Sequence, residues 1–579
     1  MQTCFMIKPD EIQSDDRMRW LWVFLALLPF ATIPILGSFF YFRHDDAALL
    51  LWAKEFTKPF YFAFSTDAQV NEYYKYPGMG AYWRPCAYLY IKLLWLLFGT
   101  NPVPYYIAGV TVFMMAVYLF FKTAEISSGT KFAFLSCLFL FVTFQSVMYN
   151  LFHIGVPTSF FYQLGMIYFF FSFLIKGKWA YLIGAFVFLV PATVRQTTPV
   201  ILTTILITAT WTHAAKIKML SIKYLIAFTI ILLGFYMMTF SPISSSGSIF
   251  SVFPDMLKMW AFIQERFVYY GTILTSGIIG IIMVFGFTLG VIHHFAAVLK
   301  DKVPAHFLNG SVWFISTMTA LALLLLFKNI AIYWLTVSIV YLFLFDKKLR
   351  FPLGWAGASL LSFLSASYYH NGYLLEAGFP LSLALGIIAS NLMAPYMPLF
   401  FSIKKKISPR QMVMIISGVL IGCLFIIGGG SRVPVLQEQL EVIKAAVDSN
   451  RNFKQLMDYL QREIPQNAVI FELSEEEIGT TRFDRRFFPL KDRALRTKIM
   501  NIEDTLVMLK VLDRGDIHLY PSSELDASTH SGDTYFITLN HFERNIAEDK
   551  FRLELIKEFG TNDDSAAVYR IGSLGERPI

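Results

Sequence analysis

Charge is scarce in this chain: 16% of its 579 residues are Asp, Glu, Lys or Arg, against about a quarter in average soluble domains. With 56% hydrophobic residues and a mean hydropathy of +0.53, that shortage excludes an ordinary soluble globule. Cysteine is scarcer still. The four cysteines (Cys4, Cys86, Cys137 and Cys423) are scattered and no pair has metal-ligand spacing, which excludes a zinc site or a disulfide framework. Cys137 and Cys423 fall inside apolar runs and read as small apolar fillers. No internal repeat is visible, and the one low-complexity patch is Ser244-Ser245-Ser246-Gly247. The net charge of +8 does not point to nucleic acid. Most basic residues of the apolar region sit in short loops, where orientation in a bilayer accounts for them.

What the chain has instead is long apolar runs. The first, Trp20 to Phe42, carries no charge over a length that crosses a hydrocarbon core of ~30 Å. A cleaved signal would have a shorter core, so this is a retained first helix. Apolar windows give about thirteen spans by the criterion of roughly 20 residues per helix. They are centred on 20–42, 105–121, 132–149, 156–175, 179–194, 198–214, 223–240, 272–293, 311–327, 329–345, 352–367, 375–400 and 411–430. With the amino terminus (Lys8, Arg17, Arg19) cytoplasmic, every second loop should be basic. The loops at Lys122/Lys131, Lys176/Lys178, Lys216/Lys218/Lys223, Lys300/Lys302, Lys347/Lys348/Arg350 and Lys404–Lys406/Arg410 all comply. The Asp45-Asp46 loop, the His153 loop, the Arg195 turn, the 241–271 loop, Lys328 and the Tyr368-Tyr369-His370 turn then share the outer face. An odd number of spans puts the tail there too.

Residues 1–430 therefore read as a transmembrane domain and 431–579 as a soluble extracytoplasmic α/β domain of a normal size. In the tail, Asn452–Glu463 has helical spacing. Ala468–Leu473, Asp533–Leu539 and Ala566–Ile571 have strand patterns, and a helix is expected near 541–559. The basic cluster from Arg482 to Lys498 is most simply a solvated face.

Chemistry is expected in the first outer loop, 43–104. It opens with Arg43-His44-Asp45-Asp46 and closes on Trp83-Arg84-Pro85, with many aromatic residues between. Asp46 to Phe56 is expected to lie along the membrane as a short helix with Leu49, Leu50, Leu51 and Trp52 toward lipid. A second amphipathic stretch runs from Cys86 to Phe98 and ends at Gly99. A carboxylate in such a partly dry groove can take a proton from an attacking hydroxyl. Arginines can neutralise a departing phosphate through their forked geometry. Arg84, Arg195 and Lys328 are placed for this by topology.

The pattern resembles the GT-C superfamily of integral-membrane glycosyltransferases, which use polyprenyl-phosphate or polyprenyl-pyrophosphate sugars as donors. The matching residues are Asp45-Asp46, Tyr82-Trp83-Arg84-Pro85, Leu93–Gly99, Pro104-Tyr105-Tyr106 and the late turn Gly372-Tyr373-Leu374-Leu375-Glu376-Ala377. Span count and an outward tail look like the aminoarabinose transferase and protein O-mannosyltransferase branches. Those branches often carry two prolines where this chain has Pro85-Cys86.

The resemblance implies an inverting displacement with Asp45 as base and Asp46 as its alternative or orienting partner. It further implies lipid-phosphate contacts from Arg84, Arg195 and Lys328, an acceptor side lined by His153 and His370, and a sugar pocket closed by Tyr373 and Glu376. The expected partners are a polyprenyl-phosphate-linked sugar donor, membrane lipids, and a glycan, lipid or protein acceptor. No cofactor is assigned; relatives differ over a divalent metal, and none is fixed here. The short loops suggest a bacterial inner membrane with a periplasmic tail. So does Asn309-Gly310-Ser311, a glycosylation triplet that falls on the cytoplasmic side.

Each residue also has a plainer role. Asp45-Asp46 could cap the helix that follows; Arg84 could be a snorkelling anchor; Arg195 and Lys328 could mark span ends. His153, His370 and Glu376 could be satisfied packing residues. Two other functions fit the composition: a transporter or flippase of a lipid-linked saccharide, and an assembly protein whose outer domain binds partners. A transporter usually shows related halves and polar groups at the bilayer midplane. Here the polar candidates gather at the outer ends.

Overall fold

The computed structural model describes residues 45–55, 85–128, 133–144, 156–192, 256–275, 277–299, 315, 318–319, 328–364, 374–393, 451–473, 502–525, 534–539, 541–560 and 565–571. The spans centred on 20–42, 198–214, 223–240 and 411–430 lie outside these residues, as does nearly all of 311–327, and so does the 430/431 boundary.

Two short helices come from the first outer loop, α1 (Asp45–Glu55) and α2 (Pro85–Phe98). Proline suits the first turn of α2 because its missing N–H has no helical partner there. Gly99 ends the helix at φ +53, with its N–H on Trp95 O at 2.8 Å. The apolar bundle follows: α3 (Pro102–Ser128), α4 (Ala133–Phe144), α5 (Val156–Lys176) and α6 (Trp179–Ala192). It continues with α7 (Met256–Leu274), α8 (Gly277–Leu299), α9 (Lys328–Phe345), α10 (Arg350–Leu364) and α11 (Leu374–Met393). Among the described residues, α3, α5 and α8 are each long and apolar enough to cross a membrane. Exposed apolar side chains on α6, α8 and α9 give these helices a greasy outer surface, as a lipid-facing bundle requires.

α7 corrects the expectation of a long loop over 241–271. Ile263, Arg266, Phe267, Tyr270 and Leu274 recur at three- and four-residue intervals and turn inward. The charged face of α7 hides it from a search for apolar runs.

Side-chain contacts fix the helix directions. Phe120 and Phe160 both pack on Phe379, at 5.2 and 5.4 Å between centroids, joining α3, α5 and α11. Towards the other end, Lys348 donates to Asn391 Oδ1 at 3.3 Å and Phe171 stacks on Phe351 at 4.4 Å. A Cβ on Gly386 of α11 would strike Ser136 at the start of α4. Trp334 and Tyr341 of α9 meet Thr288 and His294 of α8 in the same order. These contacts make α3, α5, α8, α9 and α11 parallel. The short turns at 177–178 and 346–349 reverse α6 and α10. Among the described residues, the helices alternate in direction as the expected order of spans requires.

The tail contributes an α/β unit: helix α12 (451–462), β1 (Val469–Glu472), α13 (Ile502–Val511), β2 (His518–Pro521) and β3 (Thr534–Thr538). α14 (His541–Lys550), β4 (Leu553–Phe559) and β5 (Ala566–Ile571) complete it. The sheet order is β2-β1-β3-β5-β4, with β1 parallel to both neighbours and β5 antiparallel to both of its own. β1, β3 and β5 fall where the apolar patterns put them. The helix expected over 541–559 is half strand: it stops at Lys550, and Leu553–Phe559 forms an edge strand. β4 is mostly exposed and interrupted by a bulge between Leu555 and Lys557, so no inside–outside alternation marks it. β2 is another short edge strand.

Arg514 ties this unit together. Its guanidinium donates to the carbonyls of Leu460, Gln461, Ile464 and Pro465 at 2.6, 3.0, 3.1 and 2.9 Å, and pairs with Asp516 at 2.9 Å. It thereby satisfies carbonyls at the end of α12 that have no helical donor.

Candidate functional site

Asp45 and Asp46 are the first two residues of α1, where acidic side chains favour the positive end of a helix. The rest of α1 is not where the sequence put it. Leu50, Leu51 and Trp52, expected toward lipid, are buried at 0, 1 and 4% exposure, and Leu49 packs against the same cluster. That cluster joins Ile91 and Leu94 of α2 and Tyr105 of α3 to Val507, Met508 and Val511 of α13 and to Phe453 and Leu456 of α12. The α/β unit offers apolar surface that lipid would otherwise supply. α1 therefore lies between α2 and α13 instead of in the membrane surface.

Two lysines hold it there. Lys92 of α2, itself buried, donates to Ala53 O. Lys54 donates to the carbonyls of Lys510 and Val511 at 2.7 and 3.0 Å, and to Asp513 Oδ1 at 2.6 Å. Those carbonyls belong to the last turn of α13. Beyond it Asp513 adopts φ +62, the Asp513 N–H reaches Lys510 O, and the Arg514 N–H reaches Leu509 O at 2.8 Å, a Schellman stop. A cation at such an end is favourable on two counts, the orphan carbonyls and the helix dipole.

α2 faces two ways. Leu89, Leu93, Leu96 and Leu97 are exposed on one side, while Ile91, Lys92 and Leu94 are buried on the other. This is the amphipathic helix expected from Cys86 to Phe98.

The parallel helices sort the remaining candidates by end. Tyr105 ties the amino end of α3 to α1 and the α/β unit, so the amino ends of α9 and α11 lie toward the same end of the bundle. Lys328 is the first residue of α9 and Glu376 lies in the first turn of α11, where it is 1% exposed. Lys328 and Glu376 therefore stand at the amino ends of parallel helices. They are not in one packing group with Asp45 and Asp46: α1 rests on α2 and α13, whereas α11 rests mainly on α4, α10 and α8. Arg84, His153, Arg195, His370 and Tyr373 lie outside the described residues, with Arg84 immediately before α2.

Sequence reasoning missed Lys54, Lys92 and Arg266. Arg266 of α7 is buried at 4% exposure. The next residue, Phe267, packs on Tyr333 at 6.2 Å, and a Cβ on Gly271, five residues on, would press on Ile332 at 2.6 Å. This places Arg266 beside the first turns of α9, which Lys328 opens. The signal for Lys92 was present as a lone lysine in the apolar run Leu89–Phe98. Lys54 carried no signal, because its partners are backbone carbonyls more than 450 residues away. Among the described residues no group of three His, Cys, Asp or Glu side chains assembles that could hold a metal ion.

The observations define a polytopic helical membrane protein with a small mixed sheet docked on one end of its bundle. No protein-family model matches the chain, and no curated protein matches its sequence. Among solved structures it is similar to ArnT from Cupriavidus metallidurans in the apo state, at 9% identity and TM-score 0.36, covering 95% of this chain and 97% of that one. It is also similar to the same protein bound to undecaprenyl phosphate, at 10% identity and TM-score 0.38, covering 96% and 99%. Superpositions this loose carry no argument about the site.

Proposed function

We propose that the chain is a membrane glycosyltransferase that moves a sugar from a polyprenyl-phosphate or polyprenyl-pyrophosphate donor to an acceptor on the outer membrane face. The acceptor hydroxyl attacks the anomeric carbon with inversion. Asp45 takes its proton, with Asp46 as alternative or orienting partner. The bond from the anomeric carbon to the lipid phosphate breaks, and the phosphate leaves with the electron pair. Arg84, Arg195 and Lys328 neutralise it, His153 and His370 line the acceptor side, and Tyr373 and Glu376 close the sugar pocket. Arg266 is a further buried cation, beside the first turns of α9. No metal is assigned to the reaction. The membrane part is residues 1–430 and the extracytoplasmic unit 431–579, in a bacterial inner membrane with the amino terminus cytoplasmic.

One observation supports this reading: the acidic pair opens a short helix whose body is buried between α2 and the α/β unit, a fixed mount that a solvated cap would not need. The test is Asp45→Asn in reconstituted vesicles supplied with undecaprenyl-phosphate hexoses and pentoses. Loss of a positioned general base lowers rates by about 10²–10⁴-fold, with insertion and donor binding retained. Full transfer by this variant overturns the assignment of the base. Flux of a lipid-linked saccharide without any glycosidic product replaces the enzyme with a transporter.

A further inference from the structure

The geometry points to the α/β unit as the element that positions the acidic turn: Lys54 and Lys92 fix α1, and α1 carries Asp45 and Asp46 in its first turn. The function of that turn rests on the glycosyltransferase reading above; its anchoring does not.

α1 has 11 residues, and isolated helices shorter than about 12–15 residues are marginal in water. Its shape must come from what it packs on. Four consecutive residues, Leu50 to Ala53, are buried in the cluster shared with α2, α12 and α13. Apolar packing alone is non-directional and tolerates small slides. The two lysines remove that freedom, because each closes a particular carbonyl. Lys92 binds Ala53 O near the carboxyl end of α1. Lys54, one residue on, binds Lys510 O and Val511 O at the carboxyl end of α13. The result is a relay from α2 to α1 to α13, each link made at the last turn of a helix.

Asp513 is the lesser partner of Lys54. Its side chain is 85% exposed, and exposed ion pairs contribute little. The carbonyls set the register. The acidic turn stands nine residues before Lys54, about 14 Å along the helix axis at 1.5 Å per residue, so a small tilt at the anchor displaces the carboxylates. Lys54 and Lys92 are on this view positioning residues, and the α/β unit belongs to the site although it need not touch substrate.

The experiment uses the full chain in phosphatidylglycerol nanodiscs and reads hydrogen exchange together with transfer from undecaprenyl-phosphate hexoses and pentoses. Lys54→Met should raise exchange across 45–55 by about tenfold or more, since exchange reports local opening. Peptides from α3 to α11 should be unchanged, which shows that the bundle still folds. Transfer should lose kcat by about tenfold while the donor KM stays within about twofold, because a transition-state alignment is lost and donor binding is not. Lys54→Arg should restore both, since its guanidinium can reach the same carbonyls. Lys92→Met should reproduce the loosening independently. Lys454→Met, which removes an exposed pair with Asp458 on α12, should change neither readout. Unchanged protection of 45–55 in both Met variants overturns the proposal, and so does a loosened α1 with wild-type kcat. If the wild-type chain transfers no sugar from any of these donors while Lys54→Met still loosens 45–55, the enzyme reading falls and the anchoring stands.

Discussion

Arg514 shows how one side chain can set local stability in the tail. It closes carbonyls at the end of α12 and is itself only 11% exposed at the side chain. Hydrogen bonds to charged groups contribute roughly 1.5–3 kcal/mol each and do not add in full. Arg514→Ala should therefore loosen residues 451–473 by about 2–4 kcal/mol, seen as faster hydrogen exchange there and a lower Tm for the unit. The same guanidinium, through its hydrogen bonds to the Asp516 side chain, holds that carboxyl below the usual carboxylate range. The native state thus binds the Asp516 proton less readily than the unfolded chain does. The stabilisation is complete above the unfolded carboxyl value and is lost as pH falls through the lower native one. Exchange of 451–473 should accelerate on acidification, and Asp516→Asn should flatten that acid-side slope. A slope identical in both proteins removes the assignment.

Among elements, α4 and α11 meet at a close crossing. Gly386 meets Ser136 so closely that a Cβ would strike both its hydroxyl and its backbone. Membrane helices pack through such small residues because van der Waals contact, not solvent release, drives them together. Gly386→Leu should push α4 from α11 and cost more than the roughly 1–3 kcal/mol typical of overpacking, since backbone cannot yield as a rotamer can. Detergent-resistant yield and Tm measure this; a wild-type Tm places the crossing elsewhere. The elements also show what was legible. α5, α6 and α9 follow from the lengths of apolar runs, and β1, β3 and β5 from strand patterns. α7 was missed because its charged face interrupts the apolar run while its inward face keeps helical spacing. β4 was missed because an exposed edge has no apolar alternation. The lipid-facing assignment of α1 failed for a different reason. Leu49 to Trp52 are as apolar as an interfacial helix needs, and only the distant α13 decides that protein covers them.

At the scale of the whole molecule, the tail is packed into the membrane part and not merely appended to it. Deleting 431–579 would strip cover from Leu50, Leu51 and Trp52. Each large apolar side chain is worth roughly 1.5–3 kcal/mol when buried. The truncated chain should keep α3–α11 protected from exchange, lose protection over 45–55, and lose transfer while retaining the Asp pair. Wild-type transfer by the truncated chain would separate the tail from the site. On the candidate site itself, the sequence marked the acidic pair by its place after a span. It could not reveal that the pair's helix is fastened to main-chain oxygens, since carbonyl groups have no signature in a sequence.

α2 shows leucines on one face and packs on α1 with the other. Its leucine side can float in a monolayer while its buried side grips α1, so whatever depth the monolayer gives α2 is handed on to the two carboxylates. On the glycosyltransferase reading, the height of the acidic turn would thereby follow the lipid itself. A greasy carrier lodged in that monolayer would present its phosphate at a level the turn already tracks, with no separate gauge needed to bring them together.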